Sequence, residues 1–255
     1  MEKISTTIIT YNEQDNIEEC LKSVLPFSDE IVVVDSFSTD KTITIAKKYT
    51  KKIYKQKFLG HIQQKNLAIT KAKYNWIFAI DADERASQKL QRCILNLKKK
   101  GFKKDGYSVN RRTYYLTDWM KAGGWYPDKK IRLFQREKGY WAGQNPHDYV
   151  KIPSGNVGKI KADLLHYTYK NLTTHLDQIN KFSTIAAQEK GKKKTPFIIL
   201  HLFFNPLFKF IKTYFFQGAC LKGARGFVFS VMASFSVFMK YAKLWELKHG
   251  TKQKK

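Results

Sequence analysis

Three short β-branched runs, each closed by a polar or acidic cluster and each followed by a helical pattern, restrict this chain more than any other feature. Residues 5–10 (STTIIT) end at Tyr11-Asn12-Glu13, residues 30–35 (EIVVVD) end at Asp35-Ser36, and residues 76–80 (WIFAI) end at Asp81-Ala82-Asp83-Glu84. Runs that are apolar throughout, rather than alternating, mark strands buried on both faces. Between them, residues 16–24 put Ile17, Cys20, Leu21 and Val24 on one helical face, residues 40–49 open at Asp40 as a cap, and residues 61–73 and 87–99 continue the helical spacing. The alternation predicts a doubly wound α/β sheet with right-handed crossovers.

Ligands in such sheets sit beyond the carboxyl ends of the strands. No GxGxxG and no GxxxxGK[ST] occurs, so a dinucleotide fingerprint and a P-loop are both absent. Binding falls to the strand-end carboxylates. Asp81, Asp83 and Glu84 lie within four residues directly after an apolar strand, an arrangement that is costly unless a cation neutralises it. A divalent metal does this with one or two protein carboxylates, and water and substrate phosphate fill its other positions. In an Asp-x-Asp turn the intervening residue points away, so both carboxylates can address one ion and its ligands.

From about residue 106 the rhythm changes to short aromatic and β-branched pieces, at 107–110, 131–135 and 161–166, which predict a mixed or antiparallel extension of the sheet. A helix is expected over about 171–189, then a basic run at 190–194. Past Pro196 the composition shifts again: residues 197–245 hold fourteen aromatics, and residues 195–208 and 226–239 each lack Lys, Arg, Asp and Glu. A bilayer span needs about 20 apolar residues; Asn205-Pro206 interrupts the first stretch and serines dot the second. Both read instead as interfacial helices, with Lys209, Lys212, Lys222, Arg225, Lys240, Lys243 and Lys248 placed to meet anionic headgroups; the alternative is that the aromatics form a satellite core packed on the α/β domain.

The net charge of +26 on 255 residues requires an anionic partner, and 43% hydrophobic with 15% aromatic residues excludes a disordered basic tail. Residues 167–255 carry 16 basic and 3 acidic residues, half of the excess. Nucleic acid is not the expected partner. No RNP-type, zinc or helix-turn-helix pattern is present, and the acids cluster where a phosphate backbone would have to lie. The N-terminal residues have no secretory pattern, which predicts a cytoplasmic location. Cys20, Cys93 and Cys220 have neither disulfide nor metal spacing.

ISTTIITYNEQDNIEECLKSV, EIVVVDSFSTDKT and WIFAIDADE, at these distances, resemble the nucleotide-sugar domain of family 2 glycosyltransferases. GGWYPDKKIRLFQR, NPHDYV, LLHYTYKN and GARGFVFSVMASFSVFMKYAKLWE resemble, more narrowly, the bacterial β-1,4-glucosyltransferases of the lipopolysaccharide inner core. The resemblance implies a GT-A type, Rossmann-like α/β fold with a mixed sheet and a C-terminal aromatic, basic helical region. The expected division is a glycosyltransferase domain over residues 1–190, with a nucleotide-sugar half at 1–100 and an acceptor half at 101–190, and a membrane-surface extension over 191–255. It further implies that Thr10, Tyr11 and Glu13 contact base and ribose of a UDP-sugar donor, that Asp35 meets the uracil edge, and that Asp81 faces ribose and diphosphate. Asp83 becomes the direct ligand of Mg²⁺ or Mn²⁺. Apart from the resemblance, His147 and His166 compete for a role as an additional metal or diphosphate contact. Ser36 departs from the acid pair common at that point in the family. An inverting displacement needs a base for the acceptor hydroxyl; Asp148 falls where the family places it, and Glu84 is the alternative.

Residues 121–136 carry Trp125, Tyr126, Lys130 and Arg132. Aromatic platforms stack on sugars and cations suit a phosphorylated acceptor, so these are expected to bind an anionic glycolipid, the lipopolysaccharide core heptose. The whole predicts a hexosyltransferase working at the inner face of the cytoplasmic membrane.

Overall fold

In the computed structural model, which describes residues 2–145, 147–169, 171–192 and 194–250, β1 (Ile4–Thr10) leads to α1 (Ile17–Val24), β2 (Glu30–Asp35) to α2 (Thr42–Ala46), and the short β3 (Ile53–Lys55) to α3 (His61–Thr70). β4 (Trp76–Asp81), β5 (Glu84–Ala86) and α4 (Gln88–Lys100) follow. Then come β6 (Gly106–Tyr115), β7 (Asp118–Trp119), β8 (Asp128–Gln135), β9 (Tyr140–Gln144), β10 (His147–Lys151) and β11 (Val157–Tyr169). Pro146 of the NPHD turn, Lys170, Lys193 of the basic run and residues 251–255 of the extension lie outside the described residues.

The strands run in the order β3-β2-β1-β4-β8-β6-β11-β5. β2 and β4 flank β1 in parallel, and β8 turns the sheet antiparallel at β4. β9 and β10 form a separate antiparallel pair. Ile4, Ile8, Ile31 and Val33 on one face pack with Ile17, Cys20, Leu21 and Val24 of α1, while Val32 and Val34 meet Ala68 on the other. Burial on both faces explains the unbroken VVV of β2. Each such side chain stabilises the fold by about 1.5–3 kcal/mol. Ser87 caps α4, its Oγ accepting the Leu90 N–H at 3.2 Å. α2 is shorter than the 40–49 pattern and is capped at Lys41 rather than Asp40, without a side-chain cap bond; Asp40 Oδ1 instead accepts the Thr42 N–H at 2.9 Å from the residue before the cap.

The chain divides into two compact units, residues 1–114 with 127–168, and residues 115–126 with 169–255, rather than at residue 190. The reason lies in α5 (Leu172–Gly191), whose buried residues include Ala187, packed with Ile198, Tyr241 and Leu244. Those partners belong to α6 (Ile198–Ile211) and α7 (Gly223–His249). Asn171 caps α5 in a reciprocal pair with Thr174. α6 continues through Pro206 instead of breaking there: the ring is buried, and the Pro206 carbonyl accepts Ser234 Oγ at 2.8 Å. A π turn, Lys212–Phe216, and a 3-10 turn, Ala219–Lys222, lead into α7. Gly226 lets α7 start close against the 3-10 turn, since a Cβ there would lie 1.8 Å from the Ala219 carbonyl oxygen. The helical segment Ala219–His249, 31 residues long and containing an 18-residue window of mean hydropathy 1.3, has the length and composition to cross a membrane.

Candidate active site

The ends of β1 and β2 are tied together by their own loops. Asn12 adopts φ 53°, a left-handed conformation that Asn tolerates. From there its Oδ1 accepts the Thr39 N–H at 2.8 Å, and its N–H donates to Ser38 Oγ at 2.9 Å. The Glu13 N–H donates to Thr42 Oγ1 at 2.8 Å, and Glu13 Oε2 accepts Asn16 Nδ2 at 2.7 Å. Asp35 is fully buried, with both oxygens accepting from Ser38: the N–H at 3.0 Å and the hydroxyl at 2.5 Å. Ser36 Oγ accepts Gln64 Nε2 at 3.0 Å. Thr10 ends β1 opposite Asp35, and its Oγ1 is buried without a hydrogen-bond partner. Tyr11 projects with 55% of its surface exposed.

The acids after β4 meet a set of buried cations. Lys65 Nζ lies 3.0 Å from Asp81 Oδ1 and 2.8 Å from Asp148 Oδ2, and 4.2 Å from the centre of the Trp141 ring. Arg132 Nη2 lies 2.6 Å from Glu84 Oε1 and 3.2 Å from Asp81 Oδ2. Burial works to raise the Asp81 carboxyl, but Lys65 and Arg132 outweigh it and hold the group well below the usual carboxylate range. Burial likewise opposes the charge of Arg132, and Glu84 and Asp81 overcome it.

Asp83 is set apart from this cluster by the turn. Its backbone carbonyl accepts the Tyr167 N–H at 2.9 Å, and β5 pairs with β11 so that His166 stands opposite Glu84. That register brings His166 Nε2 to 3.1 Å from Asp83 Oδ2. Burial works to raise the Asp83 carboxyl, and His166 outweighs it, leaving the group below its ordinary value. The two groups are a carboxylate oxygen and an imidazole nitrogen, each partly open to solvent, which fits a divalent ion that takes its remaining ligands from diphosphate and water. No cluster of three or more protein ligands forms among the described residues. His147, in contrast, is exposed on β10 opposite Gln144.

Several expected site residues sit in surroundings other than those expected. Arg132, expected on an acceptor rim, is buried among the carboxylates with 2% of its surface exposed. Glu84 is fully buried, accepting from Arg132 and from the Asp81 N–H at 3.1 Å. Trp125 packs in an aromatic core, 4.5 Å from Phe229 and stacked at 5.5 Å on Tyr169. Tyr126 is half-buried, and Lys130 pairs with Asp128 at 3.2 Å. Sequence reasoning missed Lys65 and Trp141. The signal for Lys65 was its phase: it shares the buried face of α3 with Gln64, Ala68 and Ile69.

A model of glycosyl transferase family 2 matches residues 5–155. A glycosyltransferase of Rickettsia typhi is 31% identical over 258 residues, spanning 97% of this chain and 88% of that protein. The lipopolysaccharide core biosynthesis glycosyltransferase LpsC of Rhizobium meliloti is 30% identical over 259 residues, spanning 98% and 94%. Among solved structures, the mannosyltransferase PcManGT of Pyrobaculum calidifontis, in complex with GDP-Man and Mn²⁺, superposes with a TM-score of 0.56 at 15% identity, covering 97% of this chain and 88% of that one. The fold is that of the GT-A glycosyltransferases. The chain belongs to glycosyl transferase family 2 and is a glycosyltransferase.

Proposed function

We propose that this enzyme moves a hexose, with glucose the expected sugar, from a UDP-sugar to a heptose of the lipopolysaccharide inner core, with inversion at the anomeric carbon. The observation that carries the reading is the meeting of Asp81 and Asp148 on the single ammonium of Lys65. It brings a donor-side carboxylate within one side chain of the expected base. The 30% identity to LpsC along nearly the whole chain supports the core acceptor.

In this reading the donor lies over the ends of β1, β2 and β4. Tyr11 offers an exposed ring to the base, the unpartnered Thr10 hydroxyl and Glu13 face the ribose, and Asp35 holds the turn under the uracil edge. Asp81 faces ribose and diphosphate, with Lys65 and Arg132 beside it as fixed positive charge. Mg²⁺ or Mn²⁺, held by Asp83 and His166, would neutralise charge on the leaving diphosphate. Asp148, rather than the enclosed Glu84, takes the proton of the acceptor hydroxyl as its oxygen bonds to the anomeric carbon and the bond to the diphosphate oxygen breaks. Lys130 is the candidate cation for the phosphate-bearing acceptor. With such an acceptor, the enzyme in this reading works at the inner face of the cytoplasmic membrane.

The test is a panel of UDP-sugars offered with Mn²⁺ or Mg²⁺ to heptose-containing core oligosaccharides, read by mass spectrometry. One UDP-hexose adding a single hexose to the core supports the reading. Transfer only from a GDP-sugar, or only to acceptors that lack heptose, overturns it.

A further inference from the structure

α6 is apolar on both sides. Ile198, Leu202 and Pro206 form its inner face, with Ile198 and Pro206 buried. The outward positions are Ile199, Leu200, Phe203, Phe204, Leu207 and Phe208, exposed by 53–67%, where a water-facing helix carries polar residues. At about 200 Å² for a free side chain of this size, they offer on the order of 700 Å², above the ~300–600 Å² of the largest patch on an ordinary monomer. Phe215, Phe216 and Leu221 in the turns that follow are exposed by 60%, 83% and 84%. The charge along this face is mostly positive, although Lys192 pairs with Glu189 at 2.6 Å. Residues 190–245 contain ten Lys or Arg and no Asp or Glu. Lys192 and Lys194 stand exposed before α6, and Lys212 after it.

We infer that the outer face of α6 seats in one leaflet of an anionic phospholipid bilayer, its phenylalanines at the acyl boundary and its flanking lysines among the headgroup phosphates. The inference deepens the membrane placement proposed above, which it specifies by residue, and it is independent of which sugar is transferred. A second copy of the chain is a poorer occupant, because two such faces would bring together ten Lys or Arg from residues 190–245 of each copy with no acid from that stretch to meet them. α7 does not cross the bilayer. Its C-terminal half is fastened to α5, where Lys243 Nζ donates to Asn180 Oδ1 at 2.6 Å and Thr184 Oγ1 at 2.7 Å, and Tyr241 and Leu244 are buried beside Ala187. Spanning would drag Lys240, Lys243 and the polar groups of α5 into hydrocarbon. α7 therefore braces the seat from behind.

The experiment is flotation of the full chain with extruded vesicles of phosphatidylglycerol and phosphatidylethanolamine, compared with phosphatidylcholine alone. The chain is expected to float with the anionic vesicles, to float less with the neutral ones, and to be released by alkaline carbonate. Phe203→Ser/Phe204→Ser, both outward, should lower partitioning by at least about tenfold. The same variant should keep its thermal midpoint and its transfer to a water-soluble core oligosaccharide, so failure of the seat is separable from failure of the chemistry. Lys192→Gln/Lys194→Gln/Lys212→Gln should weaken binding to anionic vesicles alone. Equal partitioning of wild type and the Phe variant, no flotation with either vesicle, a dimer that the Phe variant abolishes, or retention in carbonate would each overturn the inference.

Discussion

Replacing Arg132 with Met removes the charge that holds the acids after β4 together. In the folded chain Arg132 Nη2 sits 2.6 Å from Glu84 Oε1 and 3.2 Å from Asp81 Oδ2, and only 2% of the residue is exposed. Without it, Glu84, fully buried, keeps the Asp81 N–H at 3.1 Å and the Arg111 guanidinium at 3.8 Å. Stranding one partner of a buried pair costs about 3–5 kcal/mol. For a chain of this size that corresponds to roughly 6–20 °C in thermal midpoint. Thermal unfolding followed by circular dichroism measures it. Adding Glu84→Gln to Arg132→Met removes the stranded charge, so the double variant should be more stable than Arg132→Met alone, with a coupling energy above about 1 kcal/mol. An Arg132→Met variant within about 1 kcal/mol of wild type, or strictly additive single changes, would refute the claim that this ion pair organises the site.

Three other outcomes are expected. Lys65→Met removes the ammonium shared by Asp81 and Asp148; displacement of the base should cut the transfer rate at saturating donor by about 100-fold, and an unchanged rate would remove Lys65 from the site. Asp83→Asn should weaken Mn²⁺ binding, measured by the paramagnetic resonance of free Mn²⁺, by at least about tenfold while the fold persists. Burial pulls His175, hydrogen-bonded through Nδ1 to the Tyr115 hydroxyl, from 6.5 down to about 4. Between those values the unfolded chain holds a proton that the folded chain does not, so stability is fully present above about pH 6.5 and falls by about 3 kcal/mol as pH drops towards 4. Thermal midpoints recorded across that window should decline less steeply for His175→Phe than for wild type.

The strands that carry Thr10, Asp35 and Asp81 were legible because their signal is local: a β-branched run stopped by an acid identifies both the strand and the end at which ligands bind. The cations that neutralise those acids were not. Lys65 and Arg132 lie far from Asp81 in the chain, and the packing of α3 on the sheet and the pairing of β4 with β8 bring them to it. Arg132 was conspicuous on an apolar strand, yet sequence could not say which face of β8 it occupied. Trp125 had the same ambiguity, since a ring that stacks on sugar and a ring that stacks on Tyr169 are spelled alike. For α5, the helical pattern gave its length but not its partner, so its assignment to the C-terminal unit required the buried contact of Ala187 with Leu244.

The claim that Asp148 is the base and Glu84 a structural acid is tested most directly by one comparison. Wild type, Asp148→Asn and Glu84→Gln are assayed for hexose transfer from the UDP-sugar onto a heptose-containing core oligosaccharide, with UDP binding measured in parallel by calorimetry. Asp148→Asn should bind UDP normally and lose at least about 100-fold in transfer, while folded Glu84→Gln should retain transfer within about tenfold of wild type. Full transfer by Asp148→Asn, or its loss in Glu84→Gln with UDP binding intact, would contradict the account.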